Sequence, residues 1–339
     1  MKVSLVYPGK RGSALEAALA LHEISKAAGI DSQLVFSSDL ERREKASSVY
    51  PDAKFFDFTS FSGISALKRE LEGTIPFFTM VSPKLVPLYL AVPGPKALYF
   101  HASYDYSFSR PTFRDSALES VTGFLMRRSS AVFATQYPLA WQARLRFGVR
   151  ADVMPHPTYS LVRQDFFKES REVKLPVADY FLSFGELDRP LKGNGVLTEA
   201  VSGTGIPVVY VGRSGQALAN QKNSVHLNRW VSDAELFWLV RHSKAVILPY
   251  LVSSQFSGCL ALAYKLGRPV IAPFSNSFQN YVAEGESGVF FEQGNWNDLR
   301  EKMLSFDSAK ITEKSVLAYD RRLGESLAKQ IGAKLKALF

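Results

Sequence analysis

The residues best suited to chemistry in this sequence are cations and small polar groups set in turns ahead of helices. Ser254-Gln255-Phe256-Ser257-Gly258 precedes the apolar run CLALAYKLG, and a Gly-Arg-Pro break then leads into a strand-like VIA. Small hydroxyl residues and a glycine let a ligand approach the backbone, and unpaired N–H groups at a helix start favour an anion. Ser254 and Ser257 add hydroxyl donors. The bland alternative is an ordinary capped helix between two strands. Lys192 in RPLKGNG also stands ahead of a helix, where an ammonium neutralises phosphate charge; an isolated lysine before a glycine is otherwise merely solvated. Arg189 shares that work or is tied to Glu186 in a local ion pair. Arg213 follows VVYVG, at the carboxyl end of a strand. Gly9 and Gly12 frame PGKRGS, which is neither GxGxxG nor a Walker sequence. His101 ends the run ALYF, with Asp105 in the loop beyond it to orient the imidazole or serve as a base. His156 sits in MPHP. No His/Cys/Asp/Glu set has metal-ligand spacing, so neither a bound metal nor a cofactor is expected.

These turns need a scaffold, and the pattern supplies one. The opening reads as a short strand, a glycine turn with Ser13 as N-cap, and a helix over ALEAALALHEISKAAG that stops at Gly29. SQLVFSS, AKFFDF, FFTMVS, KALYFHA and SAVFATQ continue as short apolar runs with helix-capable segments between them. A second alternating series begins at DYFLSFG, in which Asp233 and Glu235 follow a capping Ser232. Alternation of this kind predicts parallel sheets with helices on both faces. The expectation is an α/β protein of two doubly wound, Rossmann-like domains with a ligand cleft between them. Boundaries fall at 1–160 for the first domain, 161–176 for a polar linker and 177–318 for the second. The segment 319–339 is a terminal helix that packs back on the first domain, with Leu323, Leu327, Ile331, Leu335 and Leu338 along one side.

Composition narrows the classes. Two domains suit 339 residues, and 46% hydrophobic with 22% charged residues is globular usage. One cysteine, Cys259, excludes a disulfide framework and fits a reducing compartment; it reads as a small apolar filler. No secretory signal stands out in MKVSLVYPGKRG, and PKLVPLYLAVPGPKALYF is broken by four prolines, so a cytoplasmic location is expected. A formal charge of +9 points to an anionic partner. Arg110, Arg114, Arg127, Arg128, Arg144, Arg146 and Arg150 lie among Phe, Trp, Leu and Met, which suits an anionic membrane face or a pyrophosphate-linked lipid, against a merely solvated basic face. No nucleic-acid module is present.

From Phe181 to Met303 the sequence resembles the GT-B glycosyltransferases of family 4, the group 1 glycosyl transferases. FGELDRPLKGNGVLTEAV is similar to their Gly-Arg-Leu, Lys-Gly and Glu-Ala segment, and VVYVG to the strand ending at their next glycine. WVSDAELFWLVRHSKAVILPYLVSSQFSGCLALAYKLGRPVIA looks like their donor block, and EGESGVFFEQGNWNDLREKM follows in order. LYFHASYDY and MPHP match more loosely. The resemblance departs in its acids: the family's paired glutamates fall on Ser254 and Leu262, a later one near Asn280, and its arginine on Glu186. SSQFSGCLALAY looks like a variant with Ser-x-Ser-Gly in place of the first glutamate.

The resemblance implies transfer of a sugar, with retention, from a UDP- or GDP-sugar to a glycan or polyprenyl-linked saccharide, as in bacterial polysaccharide or glycoconjugate assembly. The protein would be cytoplasmic and peripheral on the inner membrane face. The resemblance assigns donor contacts to Gly9, Gly12, Gly185, Arg189, Lys192, Gly212, Arg213 and the five residues Ser254 to Gly258. Catalytic roles fall to His101, Asp105 and Lys192, and His156 faces the acceptor or cleft. The missing glutamates motivate a rival expectation, a non-catalytic GT-B homologue that scaffolds a glycan-assembly complex. A third, weaker one is an epimerase or small-ligand binding protein of related architecture.

Overall fold

The computed structural model describes all residues except Met1, 11–13, 101–112, 216–217, 219–222, 253–255 and Phe339, and only the backbone of 113–115. It divides into two compact units, Met1–Phe166 with Gly324–Phe339, and Phe167–Leu323.

The first unit runs β1 (Lys2–Tyr7), α1 (Ala14–Ala27), β2 (Ser32–Ser37), α2 (Arg43–Val49), β3 (Lys54–Phe56), α3 (Phe61–Leu71), β4 (Thr74–Phe78), α4 (Leu85–Ala91), β5 (Ala97–Phe100), α5 (Phe113–Arg127), β6 (Ala131–Ala134), α6 (Tyr137–Phe147) and β7 (Asp152–Val153). The strands make one sheet in the order β3-β2-β1-β4-β5-β6-β7, every pairing parallel. The order reverses between β1 and β4, where Thr79 donates from its N–H and its hydroxyl to the Val6 carbonyl. Helices α3, α4, α5 and α6 lie side by side in one layer. Their apolar stripes, such as Leu67, Leu88, Leu125 and Leu139, close over the sheet in one core.

The second unit runs β8 (Phe181–Phe184), α7 (Asn194–Val201), β9 (Val208–Val211), β10 (Ser224–Leu227), α8 (Asp233–Arg241), β11 (Val246–Ile247), α9 (Gly258–Lys265), β12 (Val270–Pro273), α10 (Asn276–Gln279), β13 (Gly288–Phe291), α11 (Trp296–Leu304) and α12 (Glu313–Lys336). Its parallel sheet has the order β10-β9-β8-β11-β12-β13, reversing between β8 and β11. Two parallel, doubly wound sheets in one chain are the GT-B architecture expected from the sequence. Ser232 and Glu235 form the capping box that starts α8.

Two details differ from the sequence reading. The supposed linker is not uniformly polar filler: Val162, Phe166 and Phe167 are buried, with a 3-10 turn over Gln164–Phe167. Irregular spacing hid these anchors, because a single turn gives no period to read. The terminal helix begins at Glu313 and is continuous to Lys336, so its first turns lie in the second unit and residues from Gly324 on in the first. There Leu327, Ile331 and Leu335 are buried as their spacing predicts. Gly324 allows this approach, since a Cβ on it would lie 1.8 Å from Ser160 Oγ. Among the described residues no helix is long and apolar enough to cross a membrane.

Candidate active site

In an open parallel sheet, ligands bind beyond the carboxyl ends of the strands where the strand order reverses. In the second unit that point lies between β8 and β11, and the loops leaving these two strands carry Lys192 and the start of α9.

Two glycines clear the ground. Gly185 (φ +118°) ends β8 and Gly212 (φ +136°) ends β9, in backbone regions that side chains rarely adopt. A Cβ on Gly212 would lie 2.1 Å from the Gly185 carbonyl oxygen, so the two turns touch through backbone alone. The Gly185 N–H donates to the Val211 carbonyl at 3.0 Å, extending the ladder to the edge of the site. Cys259 lies against Gly185, and its thiol donates to the Phe184 carbonyl at 3.4 Å. Such a contact fits the filler role read from the sequence.

Lys192 ends a 3-10 turn, Pro190–Lys192, and Gly193 follows in the left-handed region at φ +66°. A Cβ on Gly193 would lie 1.8 Å from the Pro249 carbonyl oxygen, and the Leu251 N–H donates to the Leu191 carbonyl at 3.0 Å. The loops after β8 and β11 are thus fastened back to back. That fastening brings Lys192 Nζ to 2.6 Å from Tyr250 Oη, with the ammonium also over the Tyr250 ring. Tyr250 Oη is 3.0 Å from Ser257 Oγ, and Ser257 Oγ accepts from the Leu260 N–H at 3.4 Å as the N-cap of α9. Burial pushes the Tyr250 phenol up to about 12, so at neutral pH it is an uncharged hydroxyl. It accepts from the ammonium and shares a second hydrogen bond with the Ser257 hydroxyl. Burial opposes the charge on Lys192, but the Tyr250 oxygen and the Cys259 sulfur outweigh it and leave the lysine above its ordinary value. An ammonium is therefore fixed at the entrance to α9. The Gly258 and Cys259 N–H groups of the first turn have no acceptor among the described residues.

The remaining predicted residues fall around this pair. Arg189 Nε is 2.5 Å from Glu186 Oε2 in an exposed ion pair, the local pairing weighed from the sequence. Arg213 is exposed and makes no ion pair with a described residue, and its loop is tied to the Lys192 loop where the Gly215 N–H donates to Asp188 Oδ1 at 2.7 Å. Phe256 packs edge-on against Tyr281 at 4.6 Å. In the first unit, Gly9 follows β1, with the Tyr7 hydroxyl folded over it 2.4 Å from where a Cβ would stand. His156 is not an open group: its ring is buried near Tyr99, with Nδ1–H donating to the Pro157 carbonyl at 2.8 Å. Gly12, His101, Asp105, Ser254 and Gln255 lie outside the described residues, as do Ser13, Arg110 and the Arg114 side chain. Leu262 is buried on α9 and offers no polar group where the family places its second glutamate. Among the described residues no group of three or more His, Cys, Asp or Glu could hold a metal.

Sequence reasoning missed Tyr250, the residue that joins Lys192 to Ser257. Its one signal was position, directly after the Pro249 that ends the strand run AVILP.

Residues 178–306 match the family model described as "Glycosyl transferases group 1". Among solved structures, HepE of Anabaena in complex with UDP and glucose is similar over 99% of this chain and 100% of its own, at 14% identity and a TM-score of 0.70. Sucrose-phosphate synthase from Thermosynechococcus elongatus is similar over 100% of this chain and 99% of its own, at 15% identity and a TM-score of 0.71. A UDP-GlcNAc 2-epimerase from Methanocaldococcus jannaschii covers 96% of this chain with its full length, at 12% identity and a lower TM-score of 0.53. None of the curated proteins is similar enough in sequence to match.

Proposed function

We propose that this chain, a GT-B protein whose second unit is matched by the group 1 glycosyl transferases, moves a sugar from a nucleoside diphosphate to a saccharide acceptor. One observation carries the reading: a lysine held by a buried phenol at the start of α9, at the reversal of a parallel sheet. A diphosphate placed there meets an ammonium, the Gly258 and Cys259 amides and the helix dipole together. As the glycosidic bond to the donor breaks, negative charge gathers on the leaving diphosphate, and these groups stabilise it where it develops. Gly185 and Gly212 give the donor room to approach the backbone. Arg213 is the exposed cation nearest in sequence to the second glycine, and Arg189 joins it once released from Glu186.

UDP is the favoured nucleotide, because the HepE structures of similar fold hold UDP, UDP with glucose, or UDP-glucose. Family resemblance supports a retaining outcome, a glycan or polyprenyl-linked acceptor, and a place for His101 close to the sugar being transferred, with Asp105 orienting its imidazole or serving as a base. Calorimetry with UDP and GDP tests the donor site. Lys192→Ala should weaken binding about 10- to 100-fold, as expected for a lost charge-assisted hydrogen bond. Equal affinity in parent and variant rejects the role given to the lysine.

A second reading, a non-catalytic scaffold, is favoured by the apolar Leu262 and by the Glu186–Arg189 pair that occupies a site cation. Absence of nucleotide binding in the folded chain supports it. Hydrolysis of a donor sugar without acceptor rejects it.

A further inference from the structure

We infer that the outer face of α6 docks the first unit on an anionic lipid surface. The helix is two-sided at regular spacing. Leu139, Ala143 and Phe147 recur at i, i+4 and i+8 and are buried in the sheet-covering core. Tyr137, Trp141 and Leu145 recur at the same spacing on the opposite side, and they are 80%, 65% and 67% exposed. Large apolar side chains left in water at three successive turns are costly unless something covers them. The exposed large hydrophobics on neighbouring helices, Phe61 on α3 and Leu90 on α4, belong to the same helical layer.

Charge chooses the occupant. Arg144 lies on the same side as Trp141, and neither it nor Arg127 at the end of α5 has an ion-pair partner among the described residues. Arg128 spends its guanidinium on the Phe124 ring 5.0 Å away. Two acids border this basic surface, Glu119 at 3.6 Å from Arg146 and Asp152 at 3.9 Å from Arg150. Tyr137 and Trp141 with one polar atom each, Leu145 one turn further on, and bordering arginines without an ion-pair partner among the described residues are the makeup of a surface that lies in a lipid headgroup layer. An eleven-residue helix is too short to span a bilayer, so α6 rests in the plane of the interface as part of the folded unit.

Co-sedimentation of the full chain with vesicles tests this, using phosphatidylcholine alone and phosphatidylcholine mixed with phosphatidylglycerol. Binding should be at least about tenfold stronger to the anionic vesicles and should fall with added salt. Trp141→Ala with Leu145→Ala, and separately Arg127→Gln with Arg144→Gln, should each weaken it about fivefold or more. These side chains are exposed, and circular dichroism and melting confirm that the variants fold. Bromine-labelled lipid should quench tryptophan fluorescence in the parent and lose most of that effect in Trp141→Phe. Equal binding to neutral vesicles, none to anionic ones, or variants that bind like the parent overturn the inference. So does a lipid-free dimer abolished by Trp141→Ala, which gives the face to a second copy, or tighter binding to an RNA oligomer lost in the arginine variant. No nucleotide enters the measurement, so its failure leaves the donor site standing.

Discussion

Lys192 owes its place to Tyr250. The ammonium and the cap of α9 meet through one buried hydroxyl, so removing that oxygen separates two effects usually lost together. Tyr250→Phe keeps the ring beneath the ammonium and deletes the bridge. The expected result is a stability loss of about 1–2 kcal/mol with about tenfold weaker UDP binding, read by denaturation and calorimetry. In a double-mutant cycle with Lys192→Met, the two changes should couple by more than about 0.5 kcal/mol in the binding of UDP. Additive effects would mean that the phenol acts only as core. The sequence displayed Lys192 and Ser257 openly, because a cation and a hydroxyl in turns before helices are recognisable from their neighbours. It hid Tyr250, since a tyrosine after an apolar run looks like any other core residue until its partner from the loop after β8 arrives.

At the level of the loops, Gly193 fastens the turn after β8 to the turn after β11. Gly203 makes a natural control, with a similar positive φ (+71°) but nothing within 4 Å of an added Cβ. Gly203→Ala should cost about 1 kcal/mol, the price of backbone conformation alone. Gly193→Ala must also displace the Pro249 carbonyl, and a loss of about 3 kcal/mol is expected, with UDP binding lost as Lys192 swings from its phenol. Chemical denaturation of the two variants checks the difference; equal losses would show that the 1.8 Å approach carries no weight. Most elements were plain beforehand. Short apolar runs and period-3.6 patterns marked the strands and the longer helices, and Ser232 with Glu235 marked where α8 begins. The buried stretch from Val162 to Phe167 was not plain, because isolated aromatic anchors carry no period.

For the molecule as a whole, pH acts through a buried imidazole in the first unit. Burial, with help from Lys26 and Arg163, lowers His22 to about 4, and Ser32 Oγ lies 3.0 Å from its Nδ1. The unfolded chain binds this proton near the ordinary histidine value of about 6.5, the folded chain only near 4. Its contribution is therefore present above about pH 6.5 and is lost as pH falls toward 4. Denaturation at pH 7 and pH 5 should show the parent losing stability and His22→Gln losing clearly less, since ordinary carboxylates have barely begun to titrate at pH 5. Parallel losses would place the sensitivity elsewhere. The linear chain settled that there would be two parallel-sheet units and which turns hold cations, because periodicity and turn chemistry act over a few neighbours. Folding alone decided that the turn of Lys192 meets the turn of Tyr250, that Gly185 and Gly212 touch, and that Trp141 faces water while His156 does not. Those outcomes depend on strand order, which brings together residues as distant in sequence as Lys192 and Tyr250, 58 positions apart, and no local pattern encodes it.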